Sequence, residues 1–452
     1  MTHTSSSKGD LTTGPVPGHI RAIAVPASVG FLFHTMFNVV DTWVAGRIST
    51  EALAALSLSF PAFFIVIALG NGLSTGATAL MAHALGRKDH AEARELAAQT
   101  MTFAAMLSVA VTALGLAAGP AMFRLLGAEG RYLDMALAYM DVIFAGAGLF
   151  IMAFAVNALL NAVGDTRSFR NFLMAGCAAN VALDPWFVFG GLGLPPLGIG
   201  GIAWATLAVE LGGLAYLLHR ASAKRLLCLD CPRDFLPRVQ TLSAIARQGF
   251  PAAANMLTVG LGIFVITYFL SRFGQAPVAA YGAAVRIEQI VLLPTIGLNT
   301  AVLTVTAQNN GAGLYDRSRQ ALNVSLLYGA VLMALGTVVL FPAARPLMAL
   351  FADDPEVLAF GVSYLRIMAF LLYAYVILFL HVAALQGAKR PMFAIWIGVY
   401  RQLAAPVVVF PLLGEVLGWG PDGVWRGLFI INWSAALVAL AYARKRLPSP
   451  ES

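Results

Sequence analysis

The chain has 452 residues, of which 59% are hydrophobic and only 11% charged, with a net charge of +7. A soluble domain carries roughly 25% charged residues. A surface this apolar cannot be wetted, so the bilayer must be the solvent for most of the fold. The basic excess lies in short clusters between apolar runs, which follows the charge bias of membrane loops and argues against a nucleic-acid partner.

In chain order, the opening MTHTSSSKGDLTTGPVPGH is polar and lacks the apolar core of a secretory signal; residues 1–20 read as a disordered cytoplasmic tail. A bilayer-crossing helix needs about 20 apolar residues. Candidate spans fall at about 22–46, 52–84, 96–118, 131–163, 168–190 and 197–219, and then at about 244–272, 276–310, 321–343, 356–387, 391–413 and 421–443. The fold class is therefore an all-α integral membrane protein of twelve spans. The first six form an N-lobe over 21–220, and the last six form a C-lobe over 244–443. A basic segment, RASAKRLLCLDCPRDFLPR, lies in the cytoplasmic linker 221–243, and 444–452 is a second tail. The linker carries Cys228 and Cys231, a CxxC with no second pair and no nearby histidine, for which chance spacing in a reducing cytoplasm is the better reading than zinc or redox chemistry.

With both termini in the cytoplasm of a cell whose inner membrane holds the chain, about 20 Lys and Arg fall on the inside and 6 on the outside, as the positive-inside rule asks. The halves also repeat. Pro26 pairs with Pro251, Gly72 with Gly297, Gly86 with Gly311, Tyr139 with Tyr364 and Leu160 with Leu385, each pair 225 positions apart. Six spans per half is an even number, so the repeats enter the membrane from the same side. They are related by a pseudo-twofold axis along the membrane normal, with a substrate path expected between them.

Two acids interrupt the apolar runs: Asp41 in FNVVDTWVAG and Asp184 in NVALDPWFVFG. A carboxylate in hydrocarbon costs a few kcal/mol at least and is seldom kept without a use. Counted at 1.5 Å per residue from the ends of their spans, Asp41, Asp184 and Thr206 lie roughly 7–12 Å below the outer interface. Asn180 is one turn from Asp184 and shares its helix face. Tyr139 and Asn157 belong to span four of the same half. At the 225 offset Asp41 faces Ile266 and Asp184 faces Val409, so the carboxylates were not duplicated with the scaffold. Burial and a second carboxylate nearby both favour uptake of a proton. The same oxygens of Asp41, Asn180, Asp184 and Thr206 would equally suit a dehydrated Na⁺, and an empty pair would attract a cationic substrate. Pro26, inside span one, reads either as a hinge or as a static kink. Arg286 and Glu288 read as a local pair in span eight, and Arg366, Arg401 and Glu210 as paired or cavity-lining charges.

The segments FNVVDTWVAGRIS, GRKDHAEAR, NALLNAVGDTR, ANVALDPWFVFG, GIGGIAWAT and VRIEQI, in this order and spacing, resemble the multidrug and toxic compound extrusion (MATE) family. In detail they look like its DNA-damage-inducible-F (DinF) branch, which keeps its acids in the N-lobe. The resemblance implies a V-shaped exporter that drives drugs outward by antiport against H⁺ or Na⁺. It implies that Asp41 is the central coupling acid, with Asp184, Asn180, Thr206, Tyr139 and Asn157 around it, and that span one bends near Pro26 on protonation. The expected function is thus a multidrug efflux antiporter for amphipathic, often cationic, compounds. The alternative is a related flippase or an exporter of endogenous lipid-linked compounds or metabolites. Beyond the coupling ion no cofactor is expected, and the expected partners are small-molecule drugs and membrane lipids, with the protein a monomer. No HExxH, GxSxG or histidine cluster points to an enzyme.

Overall fold

The computed structural model describes residues 9–191, 193–228 and 231–447. The helices are α1 (Val16–Ile48), α2 (Thr50–Gly86), α3 (His90–Leu125), α4 (Gly130–Ala145), α5 (Ala147–Ala162), α6 (Thr166–Phe189) and α7 (Ile199–Ala223). They continue as α8 (Val239–Ser271), α9 (Gln275–Gly311), α10 (Tyr315–Met348), α11 (Pro355–Gly387), α12 (Met392–Val416) and α13 (Pro421–Arg446). Eleven are long and apolar enough to cross a membrane singly. The twelfth span is α4 and α5 together, bent by 45° at Gly146. A Cβ at Gly146 would run into the methyl groups of Leu207, so the absent side chain lets α7 press into the bend. Large apolar side chains stay uncovered in mid-helix, among them Val109, Leu114, Val338 and Val408, as they must where lipid replaces water. Within α12 two π-helical turns, Tyr400–Ala404 and Leu412–Val416, break the regular bonding. Such bulges collect at functional sites.

The connections between spans are tightly made. Ser49, Asp89, Asp165 and Asp354 cap the helices that follow them, each accepting a backbone N–H from the first turn. Lys88, Arg225 and Lys389 close α2, α7 and α11 in left-handed backbone conformations, with φ of 60°, 56° and 59°. Glycine is the usual residue there. A cation instead sets its charge against the negative end of the helix dipole.

The chain divides into two compact units, and the division falls within helices. One unit is Val29–Ala253; the other is the chain up to Ser28 together with Ala254 onward. The start of α1 thus belongs with the C-terminal spans and the start of α8 with the N-terminal spans. The repeat is carried into this packing. In the N-terminal unit α2 lies against α8, where a Cβ on Gly72 would come within 2.5 Å of Ala253 Cβ and 2.9 Å of Gly249 O. In the C-terminal unit α9 lies against α1, where a Cβ on Gly297 would strike Ser28 Oγ and the Ala24 carbonyl. Ala24, Ser28 and Gly297 are the repeat mates of Gly249, Ala253 and Gly72. Pro26 and Pro251 sit inside these two docked turns.

Part of the tail expected to be disordered is held, and the linker is clamped in place. Of the tail 1–20, residues 1–8 lie outside the described residues, but from Gly9 onward the chain is fixed. Leu11 N–H donates to Gln308 Oε1 (2.9 Å), Asn309 Nδ2 donates to Leu11 O (3.2 Å), and Arg317 Nη2 donates to Gly14 O (3.0 Å). The extended backbone there finds side-chain partners on α9 and α10, and α1 begins at Val16. In the linker 221–243, a 3₁₀ turn over Pro232–Phe235 is clamped to α3: Gln99 Nε2 donates to Asp234 O (2.7 Å) and Leu236 O (2.8 Å), and its Oε1 accepts from Arg238 N–H. Arg238 adds an ion pair to Glu95 at 2.7 Å. This segment therefore packs with Val29–Ala253.

Candidate functional site

Within Val29–Ala253, the second half of α1 carries Asp41 against α6, which carries Asn180 and Asp184 one turn apart. Asn180 is fully buried and its Nδ2 donates to Asp41 Oδ1 (2.6 Å) and Asp184 Oδ2 (2.9 Å). Asp41 is 6% exposed and Asp184 0%, and the two carboxyl groups are within hydrogen-bonding reach of each other. Tyr139 on α4 is buried within electrostatic range of both. Thr206 on α7 is buried and gives its hydroxyl proton to Ile202 O (2.9 Å), leaving its oxygen able to accept. Asn157 on α5 is buried as well. Its Oδ1, together with Asn180 Oδ1 and Asp184 Oδ1, has no hydrogen-bond partner. Leaving a buried acceptor unmet costs about 1–3 kcal/mol, so this is a place with capacity for a proton or a hard cation. None of the ion pairs among the described residues neutralises either acid.

The C-terminal unit holds a second buried polar centre. Glu288 on α9 is 5% exposed and accepts from Tyr364 OH at 2.5 Å. Tyr364 in turn packs with Tyr281 and Trp425, the three ring centroids 4.9–6.0 Å apart. Arg401, in the first π turn of α12, is 6% exposed. Its guanidinium lies 5.7 Å from the ring centre of Tyr375 and 5.6 Å from that of Phe379, and its Nη1 donates to Asn432 Oδ1 at 3.0 Å. Arg401 Nε has no hydrogen-bond partner. Glu288 and Arg401 feel each other's charge without touching.

The MatE family matches this chain over residues 26–186 and again over 251–410. The chain belongs to the MatE family. The two matches start 225 residues apart, the spacing of the repeat. Among curated relatives, a FAD transporter of Shewanella oneidensis is 29% identical over 448 residues, covering 97% of each chain. A multidrug export protein of Staphylococcus saprophyticus, MepA, is 25% identical over 422 residues, 92% of this chain and 91% of the relative. Among solved structures, the outward-facing conformation of a multidrug resistance MATE family transporter superposes with a TM-score of 0.91 at 25% identity, covering 98% of this chain and 99% of the other. The protein is a membrane transporter, not an enzyme.

Of the residues singled out in this MatE sequence, Asp41, Asn180 and Asp184 are in direct contact, while Thr206, Tyr139 and Asn157 are buried in the same unit. One reading needs correction. Glu288 does not pair with Arg286, which is exposed; residues two apart on a helix point away from each other, and Glu288 turns inward to Tyr364. Arg366 is exposed and lies over the Phe341 ring at 5.5 Å, with no ion pair among the described residues. Arg401, read as a paired or cavity-lining charge, is buried and hydrogen-bonded to Asn432; the tyrosine-lined centre around it went unread. The matching tyrosines 139 and 364 were the available signal, since a repeated buried phenol needs a polar partner in each lobe.

Proposed function

We propose that the protein is a multidrug efflux antiporter of the inner membrane, with both termini cytoplasmic, that exports amphipathic, often cationic, compounds in exchange for H⁺ bound at Asp41 and Asp184. The observation that carries this reading is the Asn180 amide held between two buried carboxyl groups that have no cationic partner. Two carboxylates at such range repel when both are charged, and a single proton between them removes the repulsion. It also supplies a donor for Asp184 Oδ1. The amide orientation favours H⁺ over Na⁺, because Asn180 turns an N–H toward both acids. A Na⁺ ligated by Asp41, Asn180, Asp184 and Thr206 would require that amide to turn over. Exchange then needs proton and drug to differ in affinity between two states. Pro26 is the proposed hinge, because α1 passes from one compact unit to the other two residues beyond it. The orientation rests on the inside excess of basic residues, and the export of drugs on relatives such as MepA.

The test is transport in proteoliposomes under an imposed pH gradient, with and without Na⁺. Export of a cationic dye should follow the pH gradient alone and fall by more than about tenfold in Asp41→Asn, the loss of one transition between coupled states. Full pH-driven export in that variant would overturn the assignment. A second reading has its own support: a relative named for FAD transport, and Arg401 buried beside the stacked rings of Tyr375 and Phe379 with an unmet N–H. On that reading an endogenous flat anion is the cargo. FAD loaded in place of the dye in the same liposomes decides between them.

A further inference from the structure

A hollow of about 700 Å³ lies where α2 and α7 end and α3 begins, far along the chain from either buried centre. Its floor is apolar, formed by Met81, Leu85 and Leu227 among others. Its rim is basic, with His90, Arg94, Lys224 and Arg225. Among the described residues the charge is only partly cancelled. Asp165 holds Lys224 at 3.1 Å, and Glu92 pairs with Arg87, outside the hollow. Arg94 and Arg225 have no carboxylate at ion-pair distance among the described residues. Arg225 keeps its place at a φ of 56°, a conformation that favours glycine. His90 opens the first turn of α3, whose N-terminus is already capped by Asp89, so the field of the hollow rests on its side-chain cations.

A basic loop that only sets topology would spread its cations into water. Here they ring one apolar-floored cavity at the ends of three membrane-spanning helices. Phosphate oxygens match the guanidinium fork, and the apolar floor matches the upper part of an acyl chain. We propose that this hollow is a binding site for the phosphate headgroup of an anionic phospholipid, held by Arg94 and Arg225 with Lys224 beside them. Basic pockets between spans at the cytoplasmic face suit such headgroups in general. The side assigned here is the one proposed above from the basic residues, but binding itself does not depend on drug transport.

The experiment compares binding of phosphatidylglycerol and phosphatidylcholine to the full-length protein, by native mass spectrometry and by titration in detergent. Wild type should prefer phosphatidylglycerol, and the double variant Arg94→Gln/Arg225→Gln should weaken it by about tenfold or more, the loss of two headgroup-facing charges. Arg94→Lys/Arg225→Lys should keep most of the binding and guards against misfolding. Lys88→Gln/Arg319→Gln, which removes two charges outside the hollow, should leave it unchanged. Equal weakening in that control would reduce the effect to general surface charge and overturn the site. Inorganic phosphate displacing the lipid at comparable concentration would make the ligand a soluble anion and overturn the lipid assignment. No preference for phosphatidylglycerol in wild type would overturn both.

Discussion

Both repeats bury a tyrosine at matching positions, Tyr139 and Tyr364, and surround it with different chemistry. The N-terminal centre collects two acids and an amide, with no cationic side chain in contact. The C-terminal centre sets one acid, Glu288, against one guanidinium, Arg401, among buried tyrosines. The difference is one of charge balance. A pair of acids without a counter-charge changes state when a cation arrives. An acid opposed by an arginine is already compensated and has less reason to exchange anything. One scaffold duplicated with its tyrosine can thus keep one lobe responsive and the other fixed.

The comparison breaks most easily at Arg401. Arg401→Met should remove the Asn432 hydrogen bond and the longer-range attraction to Glu288, at a cost of about 1.5–3 kcal/mol, and Glu288→Gln in the same chain should restore part of it. Thermal unfolding in detergent measures this. Asp184→Asn, by contrast, should leave the midpoint nearly unchanged, since no counter-charge is stranded. A double variant as unstable as Arg401→Met alone would show that the C-terminal centre is not a compensated pair. Next in size, Gly72→Leu and Gly297→Leu probe the same packing in the two units. Each should destabilise by at least about 1–3 kcal/mol through overpacking, and by similar amounts if the docked turns are equivalent. A large difference in their unfolding midpoints would confine the symmetry to the sequence.

The smallest expected effect is at Asp165, where the repeat mate is Arg390. Burial alone would push this carboxyl up, but hydrogen bonds from Ser168 and the Lys224 ion pair outweigh it and hold it below the usual carboxylate range. Its folded-state value is depressed, so its contribution is present above the unfolded value near about 3.9 and fades as pH falls through the folded one. Asp165→Asn should cost about 0.5–1 kcal/mol at pH 7. The gap from wild type should close on acidification below about pH 4. A gap that widens in acid would reverse the sign and discard the ion pair.

The twelve spans could be read from the sequence because membrane length sets a run length, and that needs no partner. The acidic site was legible for a related reason: a carboxylate in an apolar run stands out alone, and Asn180 lies one turn from Asp184. What could not be read was long-range. Glu288 meets a phenol 76 residues away, and the neighbouring Arg286 offered a false local partner. Gly146 carries no pattern that distinguishes a bend from close packing. The polar tail from Gly9 looks solvated until the side chains of Gln308, Asn309 and Arg317 are brought to it.

The exchanged turns bear on how the chain is made. The residues up to Ser28 leave the ribosome first, yet the surface that receives Ala24 and Ser28 lies on α9, which starts at Gln275. At roughly 5–20 residues per second that surface arrives many seconds later, and the N-terminal spans themselves stay open until residues 239–253 are synthesised. Neither half can finish assembly from its own contiguous stretch of messenger. A gene cut in the linker would therefore yield two fragments that each lack a helical segment carried by the other, and only their co-insertion would rebuild a complete pair.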